Sequence, residues 1–182
     1  MTDDGASFVF GYGSLLGSYG EVARPGHLEG YRRHWGVATD NSLTLPGYKY
    51  YLTVPGGERP RVFVTFLDLL PDPAETINGG LIPVTAATLA RLDRRERNYE
   101  RHEVTDQVRE RVDRPVWAYL GSGDARRRFA VGHSAGRAVI AAGYHRSVLE
   151  GFASFGPRGL AAFHASTDAP PCPIVELTRV NT

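Results

Sequence analysis

The chain has one cysteine, Cys172, so no intrachain disulfide can form. Such a chain suits a reducing compartment. No apolar run is long enough to span a bilayer. The start, MTDDGASFVF, lacks the basic-then-apolar pattern of a signal peptide. A cytoplasmic protein without a membrane partner is therefore expected. An excess of one charge is missing too. The formal net charge is +1, which gives no global pull toward nucleic acid or anionic lipid. Between Arg91 and Arg128, eleven arginines are offset by eight acids, which predicts a solvated, salt-bridged face rather than a nucleic-acid surface. The six histidines show neither H-x-x-x-H nor Cys/His spacing, so no metal site is indicated. Lysine is nearly absent: Lys49 is the only one among 21 basic residues.

What is present describes one packed domain. The 182 residues are 42% hydrophobic and 23% charged, enough apolar material for a core. Ser7 to Tyr12 reads as a short strand entering a glycine turn. Gly26 to Ala38 and Tyr48 to Val54 read as extended. Arg61 to Leu70 is almost continuously apolar, like a strand buried on both faces, and Pro71 and Pro73 are expected to end it. Asn78-Gly79-Gly80 reads as a turn. Thr85 to about Arg97 is predicted helical, with Thr85 as N-cap and Val84 stapled to Leu89. Tyr99 to Val112 reads as a long polar strand, paired with Pro115 to Leu120. A second helix is expected from about Tyr144 to Phe155. Pro157, Pro170, Pro171 and Pro173 then mark an irregular C-terminal tail. Many strands and few, irregularly placed helices argue for α+β rather than a doubly wound sheet.

Three segments carry candidate chemistry. The first is Phe10-Gly11-Tyr12-Gly13-Ser14-Leu15-Leu16-Gly17. Its glycines let backbone N–H groups approach a carboxylate or an oxyanion. A dinucleotide site is excluded, because the third glycine is displaced and Gly20, Pro25 and Gly26 spoil the following helix. A plain tight turn explains the spacing equally well. The second is Glu96, four and seven residues beyond Leu92 and Leu89, on the apolar stripe of the predicted helix. Desolvation and the helix C-terminus both favour its protonated form, as suits a general acid/base. An ion pair with Arg94, Arg95, Arg97 or Arg101 is the competing reading. The third is Gly132-His133-Ser134-Ala135-Gly136, which fits G-x-S-x-G. Only 48 residues follow Ser134, and His164 precedes Asp168 where the elbow order requires the acid first. A glycine turn is favoured there, with a Ser134-dependent acyl hydrolase as the enzyme alternative.

Taken in order, these strings resemble the gamma-glutamylcyclotransferase superfamily, which includes AIG2-like and ChaC-like branches. Phe10-Gly11-Tyr12-Gly13-Ser14-Leu15 resembles its signature turn. Asn78-Gly79-Gly80-Leu81 and Leu92-Asp93-Arg94-Arg95-Glu96, followed by Tyr99 and Arg101, resemble the segment bearing its acid/base glutamate. Tyr144, Val148 and Gly151 resemble its last helix. Leu15 stands where some branches carry Asn. With Arg95-Glu96 and Tyr31-Arg32-Arg33-His34-Trp35, it leans toward the glutathione-degrading ChaC-type branch. The resemblance implies a mixed β-barrel-like sheet with flanking helices and one cavity. It implies release of 5-oxoproline from a gamma-glutamyl compound, without cofactor. Glu96 would be the catalytic residue, and Gly11, Tyr12, Gly13, Ser14, Leu15 and Tyr144 would bind substrate. A gamma-glutamyl-binding module without turnover is the non-enzyme alternative.

Overall fold

The computed structural model describes residues 7–181, with nine strands and five α-helices among them. Two long strands form the spine. β2 (Arg24–Asp40) and β4 (Phe63–Val84) pair antiparallel from Arg24↔Leu81 to Asp40↔Phe63. β4 does not stop at its prolines. The register shifts between Glu29 and Tyr31, opposite Thr76 and Pro71, so the segment with Pro71 and Pro73 forms an irregularity and pairing resumes beyond it. Proline lacks a ladder donor, and a bulge is where a strand tolerates it. Asn78-Gly79-Gly80 is likewise strand, not turn. A Cβ on Gly79 would lie 2.6 Å from the Gly11 carbonyl oxygen, so these glycines serve close approach of neighbouring chain.

The other edge of β4 is shared. β1 (Ser7–Gly11) pairs antiparallel with its C-terminal end, Gly11↔Gly80. β7 (Ala138–Ala141) pairs parallel with its N-terminal end, Phe63↔Ala138. Among the described residues, no strand pairs with this edge of β4 between those two partners. The sheet continues from β1 through β6 (Val116–Gly121) to β5 (Tyr99–Glu103), and from β7 to β8 (Ile174–Val175). A bridge from Leu28 to Val108 returns the β2 side to the segment after β5, so the sheet curls toward a barrel. The fold is thus α+β with a mixed sheet, as the sequence suggests.

β5 is shorter than its polar, valine-spaced sequence implies. Val104 is fully buried, but Thr105 then starts a 3-10 turn to Gln107. The Thr105 hydroxyl donates to Glu103 and accepts the Val116 N–H, so side-chain bonds replace the ladder.

The helices hold the turn after β1. α2 (Ala86–Arg95) is capped by Thr85, whose Oγ1 accepts the Thr88 N–H at 3.1 Å. α3 (Gly123–Ser134) packs on β2. α1 (Leu15–Tyr19) lies against α4 (Ala142–Ala153) with glycine on both sides of the contact. A Cβ on Gly151 would sit 2.7 Å from Leu16 Cβ and 2.8 Å from the Gly17 nitrogen. Gly151→Ala gains helix propensity of up to about 1 kcal/mol, but overpacking against backbone costs about 1–3 kcal/mol. The substitution is expected to lower the melting midpoint. An unchanged or raised midpoint would show that α1 can yield without cost.

The segment after residue 157, read as an irregular tail, is largely ordered into elements. Pro157 lies in the first turn of α5 (Gly156–Ala165), where a missing N–H does no harm. β9 (Leu177–Asn181) pairs antiparallel with β3 (Lys49–Thr53) as a separate two-stranded ribbon.

G-x-S-x-G is not an elbow. Phe129, Ala130 and Val131 are helical rather than strand, and Gly132 to Ser134 close α3. Gly136, with φ of 65°, ends the helix in the left-handed region. A nucleophile elbow needs strand before and helix after the serine. Ser134 has the reverse, on an exposed helix end.

Candidate active site

The site lies where β4, paired with β2 on one side, has no strand on its other edge among the described residues. There the Leu67 backbone bonds to tyrosine side chains. The Leu67 N–H donates to the Tyr144 hydroxyl at 3.2 Å, and the Tyr99 hydroxyl donates to the Leu67 carbonyl at 2.8 Å. Buried backbone polar groups need partners, and phenols supply them while leaving the space beside them open. That space is a cavity of about 430 Å³ whose walls include Ser14, Tyr48, Lys49, Glu96, Tyr99 and Tyr144. A small recess of about 30 Å³ adjoins it, lined by Phe10, Tyr12, Gly13, Ser14, Leu15 and Tyr119. Ser14, Glu96, Tyr99 and Tyr144 line both.

Glu96 reaches the cavity by a different route from the expected one. Leu92 is buried on the helix stripe, but α2 ends at Arg95, and Glu96 is its C-cap at φ −86°, ψ 55°. A tight turn carries the carboxylate inward. The Glu96 N–H donates to Leu92 O, and the Tyr99 N–H donates to Glu96 O. Asn98 anchors this turn. Its amide donates to Thr39 Oγ1, its side-chain oxygen accepts from Arg128, and its carbonyl accepts the Ser122 N–H. Nothing in the helical periodicity marks Asn98 for that role.

The Glu96 side chain is only 16% exposed and lies 3.2 Å from Arg95 Nε. The expected ion pair and the cavity position thus occur together. Burial raises the Glu96 carboxyl above the ordinary 4.5, against the opposing pull of Arg95, Lys49 and Arg179. Burial likewise raises the phenols of Tyr12, Tyr99 and Tyr144, so they are neutral hydrogen-bonding groups.

The remaining candidates divide. Gly13, Ser14 and Leu15 line the recess. Tyr12 lines it with its ring, but its hydroxyl already donates to the Tyr119 carbonyl at 2.5 Å. That leaves Tyr12 only acceptor capacity toward a ligand, less than expected. Gly11 does not line either space. It ends β1 against Gly80, and Ile82 and Leu16 occupy the position of its missing side chain. Its part is to let α1 pack close. Ser134 lies outside both spaces. Sequence reasoning missed Lys49, Tyr51, Arg179 and Asn181, which complete the outer wall. The isolated lysine was a signal for the first, but nothing in ELTRVN marks a strand that covers a site.

The pocket is concave and partly polar, walled by tyrosines and the Glu96 carboxylate. The chain belongs to the family described as gamma-glutamyl cyclotransferase, AIG2-like, whose pattern matches residues 9–136. Glu96 and the glycine turn fall inside the matched span, and Tyr144 and Arg179 outside it. Among solved structures, YkqA from Bacillus subtilis is similar over 71% of this chain and 48% of its own, at 15% identity and a TM-score of 0.45. This chain therefore spans about half the length of YkqA. A structure named gamma-glutamyl cyclotransferase covers 71% of this chain and 79% of its own, at 14% identity and a TM-score of 0.40. The uncharacterized protein loc79017 from Homo sapiens matches at 14% identity over the same shares, with a TM-score of 0.39. No curated protein matches the chain. Among the described residues, no helix is long and apolar enough to cross a membrane.

Proposed function

We propose that this protein is a cofactor-independent gamma-glutamylcyclotransferase-type enzyme that releases 5-oxoproline from a small gamma-glutamyl compound. The observation that carries the reading is the Glu96 carboxylate, largely withdrawn from solvent in a cavity beside the Gly13-Ser14 turn, in a chain of this family. The substrate's α-ammonium must lose a proton before its nitrogen can attack. Glu96 accepts that proton. The freed amine attacks the substrate's own γ-carbonyl carbon, closing a five-membered ring. Collapse of the tetrahedral intermediate breaks the C–N bond to the leaving amine, which takes from Glu96 the proton that came from the α-ammonium, while the second proton of the attacking nitrogen passes to solvent as the lactam forms. The products are 5-oxoproline and the free amine. Nucleophile and electrophile are already tethered, so the protein's main task is to hold the folded-back conformer. Gly13, Ser14 and Leu15 hold the glutamyl carboxylate or the developing oxyanion, and Tyr144 donates a further hydrogen bond.

Assay of a panel of gamma-glutamyl compounds for 5-oxoproline tests this reading. Compounds that raise the melting temperature without ever being turned over would instead mark a binding module. The pH profile gives a second check. Glu96 must be ionised to act as base, and its folded-state pKa is raised. The activity should therefore rise with pH through an ionisation above 4.5, the ordinary glutamate value. Removing the positive charge of Lys49 removes a stabiliser of the carboxylate, so Lys49→Met should move that limb to higher pH. A limb at or below the ordinary value would exclude Glu96 as the base.

A further inference from the structure

The outer cavity wall has a charge pattern that the cyclisation chemistry does not use. Among the described residues lining it, Lys49, Arg95, Arg97 and Arg179 are cationic, and Glu96 is the one acid. Arg95 is paired with Glu96. Lys49 is different. Its ammonium lies 4.3 Å from the centroid of Phe66 and 5.5 Å from that of Tyr48. Among the described residues, no carboxylate lies within ion-pair distance of it. Burial, opposed by Glu96 and aided by Arg179 and Arg95, lowers Lys49 to about 8. Two like charges thus face one space, on paired strands of the β3–β9 ribbon. Aromatic faces compensate a desolvated ammonium only in part, and an anion would complete the arrangement.

We propose that Lys49 and Arg179 form a carboxylate-binding subsite for the leaving group. The preferred substrates are then gamma-glutamyl amino acids or peptides whose leaving amine bears a carboxylate, rather than gamma-glutamyl alkylamides. This rests on the cyclotransferase reading. With the glutamyl head in the recess at Gly13 and Ser14, the rest of the substrate extends into the larger space under the ribbon. An amino acid leaving group carries its negative charge into the space lined by both Lys49 and Arg179, whose Nε donates to Asn181 Oδ1 at 3.0 Å. An alkylamine leaving group brings nothing to meet them. Arg179 lies beyond the matched residues 9–136, so this wall is built partly from chain outside the family pattern.

Gamma-glutamylalanine and gamma-glutamylethylamide test the proposal, because their leaving amines differ only by the carboxylate. The wild-type protein should favour gamma-glutamylalanine in kcat/KM by on the order of tenfold to a hundredfold, the worth of a charge-assisted hydrogen bond. Lys49→Met should bring that ratio several-fold closer to one, and the double variant with Arg179→Gln closer still. Lys49→Arg should preserve a preference. The ratio is the informative quantity, because any change in the Glu96 ionisation acts on both substrates alike and cancels. Arg179 is exposed, so Arg179→Gln gives a folded variant even if Lys49→Met does not. Equal efficiency with both compounds in the wild-type protein overturns the subsite and leaves the cyclotransferase reading intact. A ratio unchanged in both single variants overturns it too. If neither compound releases 5-oxoproline, the cyclotransferase reading falls. Calorimetric titration with the same pair then decides the subsite, tighter binding of gamma-glutamylalanine supporting it and equal or absent binding overturning it.

Discussion

Glu96→Gln is expected to lower 5-oxoproline release by about 10²–10⁴-fold, the range for losing a positioned general acid/base, with the fold unchanged. The fold should persist because the bonds that close the turn at Glu96 are backbone bonds: its N–H to Leu92 O, and Tyr99 N–H to its carbonyl. The one ion pair lost is to Arg95, whose side chain is 38% exposed and can return to water. The substitution also removes a carboxylate whose burial is unfavourable. Glutamine keeps the shape and the acceptor oxygen but cannot take the ammonium proton. The measurement is 5-oxoproline release under saturating substrate, beside a melting curve. Retention of full activity would sink the mechanism. Inactivity with an unfolded protein would mean that Glu96 is structural.

The second large effect is on stability. Asp68→Ala is expected to destabilise the fold by about 3 kcal/mol, toward the low end of the range for breaking a buried ion pair. Asp68 is fully buried. Its carboxylate accepts from Arg126 Nε at 2.8 Å, from the Gly121 N–H at 2.6 Å and from the Leu69 N–H at 2.7 Å, and His34 lies at 3.3 Å. One side chain thus ties β4, β6, α3 and β2 together. Arg126 is 37% exposed and can be resolvated, which limits the loss. The backbone N–H groups of Leu69 and Gly121 are buried and have no such exit. The pH dependence separates charge from packing. Burial alone would raise the Asp68 carboxyl, but bonds from His34, Arg126 and Gly121 outweigh it, so its pKa lies below the ordinary 3.8. A depressed carboxylate pKa contributes stability that is present above the unfolded value and lost as pH falls through the folded one. The gap between wild type and variant in denaturant midpoint should therefore be full at neutral pH and shrink below about pH 4. A gap that is constant with pH would mean that the charge is irrelevant.

Local structure is legible in the sequence where local physics governs. Val9 and Phe10 entering a glycine turn, and Thr85 capping a helix with Leu92 inside, need only sequence spacing. Glu96 lines the cavity from a helix end and a side-chain-anchored turn, not from the helix stripe that its spacing predicts. Where the structure departs from the sequence pattern, long-range pairing is the cause. Pro71 and Pro73 look like strand ends, yet β2 continues the ladder past them. Asn78-Gly79-Gly80 looks like a turn because glycine permits both a bend and a close approach, and only β1 decides between them. Leu177 to Asn181 has no pattern of its own and becomes a strand only through β3. GHSAG shows the converse: a five-residue match carries no information about what precedes or follows it in space.

The edge of β4 at Leu67 that faces away from β2, unpaired among the described residues, has a consequence for how this protein can change. Tyr99 and Tyr144 are at once the mortar of the sheet and the furniture of the pocket, since the residues whose hydroxyls satisfy Leu67 also line the cavity. Substitutions at either tyrosine cannot retune specificity while leaving the scaffold untouched. The β3–β9 ribbon bears no such double duty toward Leu67. Evolutionary freedom should therefore be unevenly distributed around one pocket, frozen on the side that replaces a strand and open on the side that covers it.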